Sequence, residues 1–258
     1  MKTSLIRFCT SDNLRLDGLL FEPNKKTNKI VIHVHGTSSD FFTNRFIDSF
    51  SKDFTKIGFS LLTFNNRGAG RDTRFYKEIN GRFIEKVRIG SKKEYFEECL
   101  IDIQAALDFA KSKGYDEIVL SGSSYGCNKV IHFAIINKGV CSGIILIAPC
   151  DLVGLITDPN TVEWRWHDIQ NIDLFRYGNK TINPQTAKIK NDVLAEFASD
   201  DEYIAQTNKR DCIDYLQKAF SNARVTGHII ENANHGFCGY EGELARNVAG
   251  WLRGRAVK

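Results

Sequence analysis

Residues 116–135, DEIVLSGSSYGCNKVIHFAI, join an apolar strand-like run to a helical run through a knot of small residues. Three serines (Ser121, Ser123, Ser124) and two glycines (Gly122, Gly126) fall within seven positions. Such a knot suits a buried strand that turns into a helix in one sharp bend, because neighbours two before and two after the bend must be small for strand and helix to pass closely. Along the rest of the chain, apolar runs bounded by turn residues alternate with helical patterns. That alternation predicts parallel strands joined by crossover helices.

The pattern opens with SLIRFC and LRLDGLLF on either side of residues 10–13, read as an antiparallel pair of edge strands. KIVIHVHG, GFSLLTFNNRG, DEIVLSG, CSGIILIAP, NDVLAEFAS and ARVTGHIIENA follow as strands, the first with the continuous β-branched character of a strand covered on both faces. Helices are expected over about 45–57, 94–114, 124–137, 206–220 and 241–253. In the second, Phe96, Leu100, Ile103, Leu107 and Ala110 form one stripe that ends at Gly114. No repeat or linker interrupts the series, so residues 1–258 are expected to form a single domain.

Two connections are too long for plain loops. Residues 67–93 carry nine Lys/Arg against three Asp/Glu, and are read as a solvated, partly helical surface insertion, with contact to an anionic substrate as the alternative. Residues 151–190 contain EWRWHD.

The chain has 258 residues, 42% of them hydrophobic, with a formal charge of +4 and no long run of one sign. Composition therefore gives no reason to expect nucleic acid or a membrane as partner. The first residues lack a long apolar core with a small-residue cleavage site, and no stretch has the roughly 18 apolar residues of a membrane helix. The expectation is a soluble, unexported, cytoplasmic protein. Seven cysteines (Cys9, Cys99, Cys127, Cys141, Cys150, Cys212, Cys238), scattered without C-x-x-C spacing, are expected to be reduced and mostly core filler.

Gly122 to Gly126 satisfies G-x-S-x-G between a strand and a helix, which makes Ser124 the candidate nucleophile. A serine hydroxyl needs a base that titrates near neutrality, which points to histidine. Of His33, His35, His132, His167, His228 and His235, only His235 stands just beyond the last strand and after the nucleophile in the required order. Its carboxylate partner is expected among Asp200, Asp201 and Glu202, with Asp201 preferred, Asp200 second, and helix capping the role of those not chosen. A second oxyanion donor is expected from HVHGT, where the main-chain N–H of Thr37 can join that of Tyr125. His33 and His35 share a strand face, yet no third ligand stands nearby, so no metal is expected.

HVHGT, GSSYG, SDDEY and NANHGF, in that order and spacing, resemble the α/β-hydrolase superfamily over nearly the whole chain. The resemblance implies a mostly parallel eight-stranded sheet with helices on both faces, acyl-enzyme chemistry and no required cofactor. It also implies a cap inserted between the sixth and seventh strands, at about 151–190. Ser123 stands where the family often has histidine, and Ala198 where glycine is frequent. HGTSSDFFTNRF, FNNRG and GSSYGCNKV are further similar to a small group that includes fungal siderophore-ester hydrolases.

Trp164, Trp166, Phe175 and Tyr177 would give the cap an aromatic lining or fasten it to the sheet; Phe41 and Phe42 would line the acyl pocket or pack beneath it. The expected substrate is a small or medium carboxylic ester. A thioester or acyl-transfer substrate for the same residues, and a scaffold that only binds ligand, are the alternatives.

Overall fold

The computed structural model describes residues 1–150, 175, 177, 180–204 and 207–255. All eight expected strands are present: β1 (Lys2–Cys9), β2 (Leu14–Glu22), β3 (Lys29–Val34), β4 (Ser60–Phe64), β7 (Glu117–Ser123), β8 (Gly143–Ile147), β9 (Asp192–Ala198) and β10 (Val225–Ile230). The sheet has ten strands rather than eight, because β5 (Arg74–Ile79) and β6 (Arg82–Arg88) extend it. Its order is β10-β9-β8-β7-β3-β4-β2-β5-β6, with β1 on β2. The run from β10 to β4 is parallel; β1, β2, β5 and β6 pair antiparallel.

Residues 67–93 therefore correct the expectation of a partly helical insertion. The chain reverses at Asn80 and Gly81, both at positive φ (52° and 74°), the conformation that an Asn-Gly hairpin turn requires. Leu14 and Arg15 of β2 anchor the hairpin by pairing with Lys77 and Tyr76. Arg15 adds an ion pair to Glu78 at 2.6 Å and lies 4.6 Å over the Tyr76 ring.

Five helices are present among the described residues: α1 (Phe46–Lys56), α2 (Cys99–Ser112), α3 (Tyr125–Ile136), α4 (Lys209–Ala219) and α5 (Glu241–Arg255). Alternation along the central strands divides the core in two. Ile30, Ile32 and Val34 of β3 join Leu107, Val130 and Leu216 on one side of the sheet. Val31 joins Phe50, Phe54 and Val248 on the other, so helices cover both faces. Alpha 2 starts later than its stripe suggests, since Phe96–Glu98 form a 3-10 turn, and it stops at Gly114 with φ +90°.

Trp164, Trp166 and His167, and with them most of the expected cap, lie outside the described residues. Phe175 and Tyr177 are buried, and Tyr177 packs edge-on against Phe197 and Tyr215 with ring centroids 6.2 and 5.2 Å away. Tyr177 thereby bridges β9 and α4. Five of the seven free cysteines are buried; Cys9 and Cys238 are exposed. Among the described residues no helix is long and apolar enough to cross a membrane.

Candidate active site

Beta 7 ends at Ser123 and α3 begins at Tyr125, leaving Ser124 alone in the bend at φ 53°, ψ −127°. A side chain with a Cβ rarely adopts this conformation, and the surroundings hold it there. The Ser124 N–H donates to the Ile147 carbonyl at 2.8 Å, and the Ser124 carbonyl accepts from the Cys127 N–H at 2.9 Å. The two glycines are required by contact. A Cβ on Gly122 would stand 2.4 Å from the Gly126 carbonyl oxygen, and one on Gly126 would stand 2.2 Å from that of Val34.

The loop after β3 reaches the same point, since a Cβ on Gly36 would be 2.9 Å from the Ser124 Cβ. His35 shapes this loop. Its Nδ1 lies 2.8 Å from the Gly36 carbonyl and its Nε2 lies 3.2 Å from the Asn66 N–H, so the neutral ring donates at one nitrogen and accepts at the other. Burial, aided by the Lys129 charge, pushes its pKa down to about 3.

Asn66 is itself held from below. Its Oδ1 accepts from Lys129 Nζ at 3.1 Å and from the Gly68 N–H at 3.0 Å. Lys129, fully buried on α3, pairs with the buried Glu94 carboxylate and sits 4.9 Å over the Tyr125 ring. Alongside, Arg67 binds the buried Asp102 of α2 through its N–H at 2.7 Å and its Nε at 3.0 Å. Burial pushes the Glu94 and Asp102 carboxyls up, against the pull of their cationic partners.

His235 follows β10, and its Nδ1 is 2.8 Å from Oδ2 of Asp201, which is fully buried. The other carboxylate oxygen accepts from the Tyr203 N–H at 2.9 Å. Glu202 accepts from the His235 N–H at 3.0 Å, and the Tyr203 ring meets the imidazole edge-on at 4.5 Å. Asp200 is exposed and bonds to Ser199. With Nδ1–H donated to Asp201, Nε2 remains as the acceptor.

Ser124, His235, Thr37, Gly36, Phe46 and Tyr203 are among the residues lining one cavity of ≈ 360 Å³. The Thr37 hydroxyl is buried without a hydrogen-bond partner among the described residues. Tyr125 is the first residue of α3, with its ring buried against Phe96. Of the remaining expected site residues, Phe41 and Phe42 do not line this cavity. They pack edge-on against each other with centroids 5.0 Å apart, and Phe42 is 61% exposed. Phe46, the first residue of α1, lines it instead. Cys150 places its sulfur 3.7 Å from Ser124 Oγ.

The other described histidines have separate partners. His33 contacts Ser121 at 3.1 Å and, at 3.4 Å, Ser123, the residue that replaces the family's common histidine. His132 packs on Phe96, and His228 pairs with Glu196 at 2.8 Å. No cluster of three or more His, Cys, Asp or Glu suited to a metal ion occurs among the described residues.

Among curated proteins no sequence matches significantly. Solved structures share the fold at low identity. Est1E from Butyrivibrio proteoclasticus, with ferulic acid bound, has a TM-score of 0.70 at 17% identity, covering 97% of this chain and 99% of that one. The Pyrococcus furiosus esterase Pf2001 has a TM-score of 0.66 at 15% identity, covering 98% and 92%. XC6422 from Xanthomonas campestris, a serine hydrolase without a lid, has a TM-score of 0.64 at 14% identity, covering 98% and 94%. The family model described as serine aminopeptidase, S33 (Hydrolase_4) matches residues 25–223. The chain belongs to that family, and is thereby a serine hydrolase of the α/β-hydrolase superfamily.

Proposed function

We propose that the protein hydrolyses a small or medium carboxylic ester, with Ser124 as nucleophile, His235 as general base and acid, and Asp201 as the group that orients the imidazole. The observation that carries this reading is the buried Asp201 carboxylate on His235 Nδ1, at a cavity whose wall also holds Ser124 on its strained turn. In the first half-reaction Ser124 Oγ attacks the carbonyl carbon while its proton passes to His235 Nε2. The resulting oxyanion accepts hydrogen bonds from the N–H groups of Tyr125 and Thr37. Collapse of the tetrahedral intermediate breaks the ester C–O bond, and His235 returns the proton to the leaving alkoxide. Water, deprotonated by the same imidazole, then attacks the acyl-serine and restores the enzyme.

His35, Asn66, Lys129 and Glu94 act through the loop rather than on substrate, by fixing the residues on either side of Gly36. The walls supplied by Phe46, Ile147 and Tyr203 favour an apolar acyl group, and ≈ 360 Å³ suits a small or medium one. The ferulic acid held by Est1E is an acid of this kind.

Initial rates with p-nitrophenyl esters of increasing acyl length, set against matched acyl-thioesters, test the reading. Esters are expected to be cleaved, with His235→Ala losing about 10³ to 10⁶ in kcat and retaining the fold. Ester cleavage unaffected by His235→Ala would refute it, and a kcat/KM tenfold or more in favour of thioesters would move the assignment to thioester hydrolysis.

A further inference from the structure

We propose that the β5–β6 hairpin docks the protein onto an anionic lipid surface. On either side of the turn at Asn80 and Gly81, three large apolar side chains stand in solvent: Ile79 is 47% exposed, Phe83 57% and Ile84 50%. The register shift between Lys77 and Glu78 opposes Lys77 to Glu85 and Glu78 to Phe83, which leaves Ile84 as the extra residue of a bulge at the tip. The register puts Phe83 on the face of Glu78 and Ile79 on the other, with Arg82, so both faces of the tip carry exposed apolar surface; on an otherwise charged hairpin this marks a contact site.

Charge states which contact. The two strands carry Arg74, Lys77, Arg82, Lys86 and Arg88 against Glu78 and Glu85. Both acids are already committed, Glu78 to Arg15 at 2.6 Å and Glu85 to Lys77 at 3.0 Å. Arg74 and Arg88 stand directly opposite one another in the ladder, a like-charge pairing that costs stability unless an anion sits over it. Arg88 reaches Asp72 at 3.3 Å, whereas Arg74 and Arg82 form no ion pair with a described residue. A second copy of the chain would set this excess of positive charge against itself. An anionic interface would accept the arginines at the headgroups and the apolar tip among the acyl chains.

The hairpin leaves the sheet at the rim that carries the active site. Gly18 of β2 pairs with Phe64 at the carboxyl end of β4, so Leu14 and Arg15, which hold β5, extend past that end. Its base is tied to the loop that lines the cavity, through Ser38 to Ser91 at 2.6 Å and the Gly70 N–H to the Ser39 carbonyl at 2.9 Å. Docking would hold the cavity mouth toward an interface where apolar esters collect. A hairpin laid on a surface needs no spanning helix, so it qualifies the expectation, drawn from composition, that no membrane is a partner. The proposal stands independently of the hydrolytic roles.

Co-sedimentation of the full chain with vesicles tests it, using equal parts phosphatidylcholine and phosphatidylglycerol in one arm and phosphatidylcholine alone in the other. The parent protein is expected to sediment with the anionic vesicles, less so as salt is raised, and at least tenfold more weakly with the neutral ones. Two double variants, Phe83→Ser with Ile84→Ser and Arg74→Ser with Arg82→Ser, should each bind about fivefold or more weakly. Neither should lower the parent's thermal midpoint or change its rate on a soluble p-nitrophenyl ester, and the arginine variant, relieved of the Arg74 and Arg88 repulsion, should melt at or slightly above the parent. No sedimentation of the parent, equal sedimentation in both arms, or variants that bind like the parent would overturn the proposal. So would a dimer, dissolved by the apolar substitutions, in a protein that ignores vesicles.

Discussion

Asp201 lies fully buried with its carboxylate 2.8 Å from His235 Nδ1, while Asp200, one residue earlier, points into solvent. A buried carboxylate holds one imidazole tautomer and stabilises the imidazolium; an exposed neighbour can do neither. Asp201→Asn should therefore lower kcat by roughly 10³ to 10⁴. Asp200→Asn should stay within about twofold. Steady-state kinetics of the two variants decide the matter, and the reverse order would move the acid to Asp200.

The Lys129 and Glu94 pair sits where either charge alone would be stranded. Lys129→Met should cost about 3–5 kcal/mol in denaturant unfolding and lower kcat, because Asn66 loses its anchor beneath the Gly36 loop. Combined with Glu94→Leu, the loss of stability should be smaller than the sum of the two single losses by more than about 1 kcal/mol. Strict additivity would show that the pair is not coupled.

Glycines separate two kinds of cost. Gly126→Ala forces a Cβ to 2.2 Å from the Val34 carbonyl oxygen, so it should abolish activity and destabilise by about 1–3 kcal/mol or more. Gly114→Ala has open space around it and suffers only from φ +90°, so about 1–2 kcal/mol with full activity is expected. Thermal melts and rates on the same ester check both.

Acid should unfold the protein through His33 and His35, whose pKa values burial lowers to about 3 from 6.5. The folded state keeps both rings neutral while the unfolded chain protonates them, so stability falls as pH drops from 6.5 towards 3. The slope is up to about 1.4 kcal/mol per pH unit for each ring. His228 works in the other sense. Its hydrogen bond to Glu196 raises its pKa, so its contribution is complete below pH 6.5 and fades as pH rises through the raised value. Unfolding curves from pH 4 to 8 should show His33→Gln reducing the acid slope and His228→Gln leaving it unchanged.

The parts of this fold with continuous apolar runs were legible in the sequence. Strands β3, β7 and β8 announce themselves because both their faces are covered, and the bend at Ser124 because only small residues fit beside it. The β5–β6 hairpin was misread for the opposite reason: its side chains face water, so their charge hides the period of a strand, although Asn80-Gly81 marked the turn. Nothing local in the sequence shows that Arg67, Glu94, Asp102 and Lys129 are neutralised in the core by partners 35 residues away. Phe46 reads as one apolar residue of α1 among several, and only the approach of the loop after β3 makes it a cavity wall.

The central claim is that Ser124 is the nucleophile and His235 activates it, and covalent labelling with a fluorophosphonate followed by peptide mass mapping tests it most directly. The modification is expected on Ser124 alone in the wild type, absent from Ser124→Ala and strongly slowed in His235→Ala. An unlabelled wild type, or a label that persists in Ser124→Ala, would contradict the account.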